Sequence, residues 1–496
     1  MFEYHQLDSR AVSGSNALRS TDLQQHMPRV DQNTTNERSK ETLLLIAIFA
    51  LAIALRLALA IVNRQANDDH LKVVSILLQG FHRLSRADCP ECFHPKLYYT
   101  LCAALIKILG IHLHTPQIQA AQLLNAVAGI ATLAFILAFL RRSAFSAQTR
   151  VIAFAMSALN PRLIAINGQA SNDTFAILFG TAAAYGFWRF LQWPSRSLFL
   201  KTTGAIALAI ASKGTTLVLG IALGLAFGAQ TIGGVVFGHW RRAALRLAIL
   251  LGIMVSAIAI GNYDFSSYRD YGQQGRHAPL HFFERTLVSR PGVVSIAESY
   301  FTFRLVGMLI EPTITNDEIR YPWHRTSVWS QLYGRLHVAQ FDSHPPMWRT
   351  RDPHVFNVSR VLLVLGLLPT SCFFWGVGKR ARGAWRAWRR RGWSALIDMK
   401  SLWPLIVIVG YMMFTIKFTR DFRDFSAMKA IYLFPGMLAF VVVFTEGIEA
   451  LVASVEGSKL WSRLVQGTFA ALALLYAWDV VLVIIHLVAV GRTGRW

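Results

Sequence analysis

The chain has 496 residues, of which 54% are hydrophobic, with a mean hydropathy of +0.39 and a net charge of +23. Soluble domains are about 45–50% apolar, so this composition excludes an ordinary soluble fold. The basic excess lies between apolar runs, as the positive-inside rule places Lys and Arg in cytoplasmic loops, so it does not point to nucleic acid.

Residues 1–41 are rich in Ser, Asn, Gln and Thr without an apolar period, and read as a disordered cytoplasmic tail. Residues 42–496 read as an all-α membrane bundle. Thr42 to Val62 is the first span, a retained signal anchor. Ile118 to Leu140, Val361 to Val377 and Leu464 to Val490 are further stretches long enough to cross about 30 Å of hydrocarbon. Between the first two lies a polar segment, 63–117. Its apolar stretch Leu97 to Gly110 is short and interrupted by Lys107, which suits a juxtamembrane helix rather than a span.

Basic clusters recur at Arg141, Arg142 and Arg150, at Arg196 and Lys201, at His239, Arg241, Arg242 and Arg246, and from Lys379 to Lys400. Placing all of them on the cytoplasmic side gives about eleven spans. It also puts the 63–117 loop, the turn at Asn172-Asp173 and a long loop over 262–356 on the opposite face. The long loop, rich in Trp, Pro and His, is expected to hold short interfacial helices. The Arg- and Trp-rich run Arg382 to Arg391 reads as an interfacial helix on anionic lipid.

The candidate chemistry lies on that outer face. Asp68 and Asp69 follow the first span. Adjacent carboxylates raise each other's pKa, which suits a general base for an acceptor hydroxyl; the alternative is a solvated loop or helix cap. The stretch 89–99 combines Cys89 and Cys92 with His94, Lys96, Tyr98 and Tyr99. The cysteines fit a disulfide, free thiols or a metal pair. The cations fit a phosphate, and the tyrosines line a lipid or sugar cleft. At the Asn172-Asp173 turn, Asp173 caps the next helix, or orients an acceptor or the first-loop acids. Lys213, Lys417, Arg420, Arg423 and Lys429 are cations on the outward side. Each calls for a partner, either a phosphate or neighbouring acids such as Asp421 and Asp424.

In this order the motifs resemble the GT-C fold of polyprenyl-phosphate-sugar-dependent glycosyltransferases, nearest in pattern to protein O-mannosyltransferases and the aminoarabinose transferases of lipid A. The resemblance covers roughly 42–215 and a patch at 426–436. It rests on Asp68-Asp69 after the first span, His94-Pro95-Lys96-Leu97-Tyr98-Tyr99, Asn172-Asp173, and Lys429-Ala430-Ile431-Tyr432-Leu433-Phe434-Pro435. Lys96 stands where the pattern has a second Pro, and Ile431 where it has Arg.

The resemblance implies inverting sugar transfer at the periplasmic or lumenal face of a bacterial-type inner membrane. The donor would be a polyprenyl-phosphate-linked sugar. Asp68 would be the base, with Asp69 and Asp173 assisting. His94, Lys96, Lys213 and Lys429 would grip the phosphate, and Tyr98, Tyr99, Asn172 and Tyr432 would line the site. No cofactor is required, and a divalent metal is compatible. The 262–356 loop is too short and irregular for a β-trefoil, which favours a lipid, glycan or small-molecule acceptor over protein. The alternative is a transporter or flippase for a lipid-linked saccharide, in which buried Arg56 and Asp479 would mark a pathway.

Overall fold

The computed structural model describes residues 32–66, 70–80, 84, 88–236, 240–260, 299–310, 327–339, 352–392, 399–422 and 429–493. These residues form helices joined by short turns, with no strand among them. The first part of the chain comprises α1 (Gln32–Val62), α2 (His70–Gln79), α3 (Leu97–Ile108), α4 (His114–Arg142), α5 (Ala147–Ala158), α6 (Pro161–Asn167), α7 (Asp173–Gln192), α8 (Arg196–Ser212), α9 (Leu217–Val236) and α10 (Trp240–Ile260). The later part has helices at Leu305–Ile310, Val328–His337, Pro353–Leu365, Leu367–Arg391, Met399–Phe422, Met437–Val455 and Lys459–Thr493.

Among the described residues, seven helices are long and apolar enough to span a membrane, or eight if the bent pair α5–α6 is one span. The expected count of about eleven is not reached by this measure. α8 has 17 residues. The apolar parts of the next two helices, Gly214–Gln230 and Ala244–Ala259, lie at the short end of the spanning range. Helix α1 starts at Gln32, inside the segment 1–41 expected as a disordered tail; residues 1–31 lie outside the described residues. The 12 residues of α3 reach only about 18 Å at 1.5 Å per residue, too little to cross.

The two ends of the bundle differ in chemistry. At one end Arg150 forks onto Glu41, with Nε 2.7 Å from Oε1. Ser146 Oγ donates to Glu449 at 2.8 Å, and Arg380 Nε donates to Glu446 at 2.9 Å. The basic residues grouped by the positive-inside rule thus meet acids from α1 and Met437–Val455. Glu41 and Asn63 bracket about 33 Å of α1 at 1.5 Å per residue, close to the thickness of a hydrocarbon core. The opposite end holds the candidate site.

That end is shaped by a broken helix. Pro161 has no N–H to continue α5, and α6 leaves at 47°. Asn160 caps the new helix by accepting from Leu163 N at 2.9 Å. The break strands carbonyls in an apolar interior, where an unsatisfied group is costly. Arg56, fully buried on α1, donates to Ala158 O at 2.9 Å, to Ala52 O at 3.0 Å and from Nε to Asn167 Oδ1 at 2.8 Å. Asn63 Nδ2 donates to Gly168 O at 2.8 Å, past the end of α6. Arg56 is therefore a clamp on the break rather than a pathway charge, and Asp479 accepts the backbone N–H of Ala339 at 2.6 Å.

Leu367–Arg391 and Met437–Val455 pack at backbone contact. A Cβ on Gly376 would lie 1.9 Å from Val443 O, and one on Gly447 1.8 Å from Cys372 O. Small residues permit this approach where no water-driven force joins helices. Gly447→Val is therefore expected to cost about 1–3 kcal/mol or more by overpacking, seen as a lower unfolding temperature in detergent. Gly204→Ala, with nothing within 4 Å of the added carbon, should leave it unchanged or raise it slightly.

Candidate active site

The turn between α6 and α7 is fixed before any charge is placed. Asn125 Nδ2 of α4 donates to Gln169 O at 2.6 Å and Ser171 O at 2.8 Å. Asn172 Nδ2 donates to Ser212 O at 3.2 Å, joining the start of α7 to the end of α8. Helices α7 and α8 form a hairpin, so residues 173 and 213 meet although 40 apart in sequence.

There Lys213 Nζ donates to Asp173 Oδ1 at 2.6 Å, with both side chains more than nine-tenths buried. Ser171 Oγ donates to Asp173 Oδ2 at 2.8 Å. Asn172 occupies the N-cap position of α7 without a side-chain capping bond, and Asp173 is the first residue of the helix. The aspartate is committed to Lys213 and Ser171 rather than to capping. Lys213 Nζ also lies 5.8 Å from the centre of the Tyr432 ring, which packs on Phe418 at 5.1 Å. The turn Ala430–Gly436 that carries Tyr432 packs against Val328–His337, so the outer loop covers this side of the site.

The first outer segment closes the other side. Helices α2 and α3 bury Leu71, Val74, Leu77, Tyr98, Tyr99 and Ile106 in an apolar cluster of their own, with Ile118 of α4 and Phe175 of α7. This cluster holds His70, the first residue of α2, with Nδ1 2.6 Å from Tyr99 Oη. Cys89 and Cys92 form a disulfide across the 3-10 turn Pro90–Phe93. Glu91, on that turn, lies 2.8 Å from His94 Nε2. The His94 ring sits 5.9 Å from that of His70 and 4.2 Å from that of Phe93.

Electrostatics join the two sides. Burial alone would raise the Glu91 carboxyl, but the His94 hydrogen bond and the charges of His70, His94 and Lys213 hold it well below the usual carboxylate range. Burial pushes the His94 imidazole down, and Glu91 opposes this less strongly. Glu91 and His94 are thus held as one hydrogen-bonded pair at the edge of the site. His70 in turn acts on Asp173, so the first loop and the α6–α7 turn share one field.

Asp173, Asn172, Lys213, Tyr432, His94 and Tyr99 thus gather at this end of the bundle. Asp68 and Asp69 lie outside the described residues, which resume at His70. Lys96 is folded back on its own loop, donating to the carbonyls of His94 at 2.7 Å and Cys92. Tyr98 is fully buried against Phe175 at 5.4 Å and accepts from Asn125, so it builds the wall from within. Lys429 immediately precedes the Tyr432 turn, and its carbonyl accepts from Tyr432 N at 3.3 Å. Lys417 and Arg420 are exposed on Met399–Phe422, and Arg423 lies outside the described residues. Glu91 was not among the residues singled out from sequence, and His70 stood there only as the end of the Asp68-Asp69 stretch, with no role of its own. The spacing of Glu91 three residues before His94, inside a bridged Cys-x-x-Cys, was the available signal. Among the described residues no three or more His, Cys, Asp or Glu are grouped to hold a metal ion.

Residues 112–255, which include Asn172, Asp173 and Lys213, match the family model of dolichyl-phosphate-mannose-protein mannosyltransferase. No curated protein matches. Among solved structures, the chain is similar to the protein O-mannosyltransferase Pmt1-Pmt2 complex of S. cerevisiae bound to the sugar donor. The identity is 20%, over 45% of this chain and 33% of that one, with a TM-score of 0.37. The archaeal oligosaccharyltransferase AglB of Archaeoglobus fulgidus, in complex with an inhibitory peptide and a dolichol-phosphate, is 13% identical over 90% of this chain and 55% of that one, TM-score 0.42. ArnT from Cupriavidus metallidurans bound to undecaprenyl phosphate is 16% identical over 84% and 79%, TM-score 0.33. The chain spans 33% of the yeast protein and 55% of the archaeal one.

A buried pair owes little of its presence to net stability, but removing one partner leaves an uncompensated charge. Asp173→Asn and Lys213→Met are each expected to cost about 3–5 kcal/mol, and the double variant clearly less than their sum. Thermal unfolding of the purified protein in detergent checks this; additive losses would show that the two do not share one interaction.

Proposed function

We propose that this protein is an inverting glycosyltransferase that moves a sugar from a polyprenyl-phosphate donor to a lipid, glycan or small-molecule acceptor at the periplasmic face of a bacterial inner membrane. The observation that carries the reading is the buried Asp173–Lys213 pair at the outer end of the bundle, facing a first loop with its own charged groups. Such a pair is expensive at a membrane boundary, and a developing anion there gives it a use. The family match over 112–255 covers this pair and supports a polyprenyl-phosphate donor.

The chemistry is a single displacement. The acceptor hydroxyl oxygen attacks the anomeric carbon on the face opposite the leaving group. The carbon–oxygen bond to phosphate breaks, and its electron pair stays on the phosphate oxygen. Asp68 takes the hydroxyl proton, and Asp69 orients it. An ammonium has three N–H donors, so Lys213 can keep its bond to Asp173 and still donate to the phosphate. Asp173 fixes that ammonium in place, and Lys429, just before the Tyr432 turn, adds a second positive charge. The half-buried Tyr432 ring suits a sugar face or an isoprenoid stem, while Tyr98 and Tyr99 hold the wall of the first loop from within.

In proteoliposomes with a polyprenyl-phosphate sugar, Asp68→Asn should lower transfer by about 10²–10⁴-fold while the protein stays folded, as for loss of a general base. Unchanged transfer would reject Asp68 as the base. Donor translocation by wild-type protein with no sugar transfer to any acceptor would instead support the flippase.

A further inference from the structure

Asp173 is held by both of its carboxylate oxygens. Oδ1 accepts from Lys213 Nζ at 2.6 Å, and Oδ2 accepts from Ser171 Oγ at 2.8 Å. A carboxylate only accepts, so the hydroxyl hydrogen of Ser171 is committed to Oδ2. The same hydroxyl oxygen accepts from Asp173 N at 3.3 Å. Ser171 is itself fixed from α4, where Asn125 Nδ2 donates to its carbonyl at 2.8 Å. Asn125, Ser171, Asp173 and Lys213 are all more than nine-tenths buried, so a lost partner is not readily replaced by water.

The hydroxyl decides how the ammonium is used. An aspartate held by lysine alone can turn its carboxylate and offer both oxygens to one ammonium. That arrangement takes up two of the three N–H donors. With Ser171 on Oδ2, Lys213 meets Oδ1 alone. Among the described residues Nζ has no second hydrogen-bond acceptor, and it lies between the Tyr432 ring and the first loop, where its charge acts on Glu91.

We propose that Ser171 is a positioning residue for sugar transfer: by occupying Oδ2 of Asp173 it confines Lys213 to Oδ1 and keeps two N–H groups of the ammonium for the leaving phosphate. It acts through Asp173 and Lys213 and touches no reacting atom. This rests on the glycosyltransferase reading. The donor phosphate is a diester with a single negative charge, and the released polyprenyl phosphate is a monoester that carries most of a second one. The two N–H groups therefore matter more as the bond to the sugar breaks than when the donor binds.

Two measurements on full-length protein in nanodiscs test this. The first is transfer kinetics. Ser171→Ala should lower kcat by roughly ten- to a hundredfold, the range for a hydrogen bond to a charged group, and change the donor KM by less than about threefold. Ser171→Thr, which keeps the hydroxyl, should recover most of the rate. The second is a ³¹P NMR titration with sugar-free polyprenyl phosphate, which Ser171→Ala should bind roughly tenfold more weakly than wild type. Ser171→Cys, close to serine in size but a poorer donor, should fall between wild type and Ser171→Ala in both, and carries the test where the alanine variant does not fold. Wild-type kcat and phosphate affinity in Ser171→Ala overturn the proposal. So does a loss confined to the donor KM, or one that threonine does not recover in a protein that unfolds at the wild-type temperature. If wild-type protein binds polyprenyl phosphate but transfers no sugar, the glycosyltransferase reading falls, and the titration still decides whether Ser171 sets the ammonium. A wild type that binds no polyprenyl phosphate overturns both.

Discussion

The bond between Lys213 and Asp173 is the constraint on which the rest of the outer end depends. Two opposite charges withdrawn from water hold together only if their geometry is kept, and little else in an apolar bundle can keep it. The α7–α8 hairpin brings them within 2.6 Å. The amides of Asn125 and Asn172 fix the turn from α4 and from the end of α8. Asn63 and Arg56 secure the broken helix that feeds that turn. Each element is explained by the need to present one lysine and one aspartate at a set depth.

The broken helix shows how a membrane interior makes irregular backbone affordable. Pro161 removes a hydrogen bond and re-aims the chain toward the site. The freed carbonyl of Ala158 then needs a donor, because no water is at hand. Arg56 supplies it from a neighbouring helix, with its side chain wholly enclosed. An arginine that looks like a transport charge in the sequence is thus part of the frame.

Much of this was legible in the sequence. The long apolar runs predicted the bundle, and the spread of arginines predicted which helix ends lie together, now seen in Arg150 with Glu41 and Arg380 with Glu446. Asp173 and Lys213 were recognised separately, because each is an ion at a membrane boundary. Their pairing was not, since it depends on the return of a hairpin 40 residues long. Glu91 was passed over because its spacing to His94 is a weak signal until the bridged turn aims one at the other. Lys96 drew attention as a cation, yet it is engaged with carbonyls of its own loop, a local geometry that residue type does not encode. Helix length and apolarity bear out seven or eight of the spans among the described residues; charge alternation marks sides of the membrane and does not by itself fix the number.

The account predicts where a donor must sit. The most direct measurement is an experimental structure of the protein with a polyprenyl-phosphate sugar bound in a lipid nanodisc. Phosphate oxygens within about 3–4 Å of Lys213 Nζ, with the sugar turned toward the Asp68 segment, are the expected result. A phosphate held more than about 10 Å from Lys213, beyond a Debye length of its charge, would contradict it.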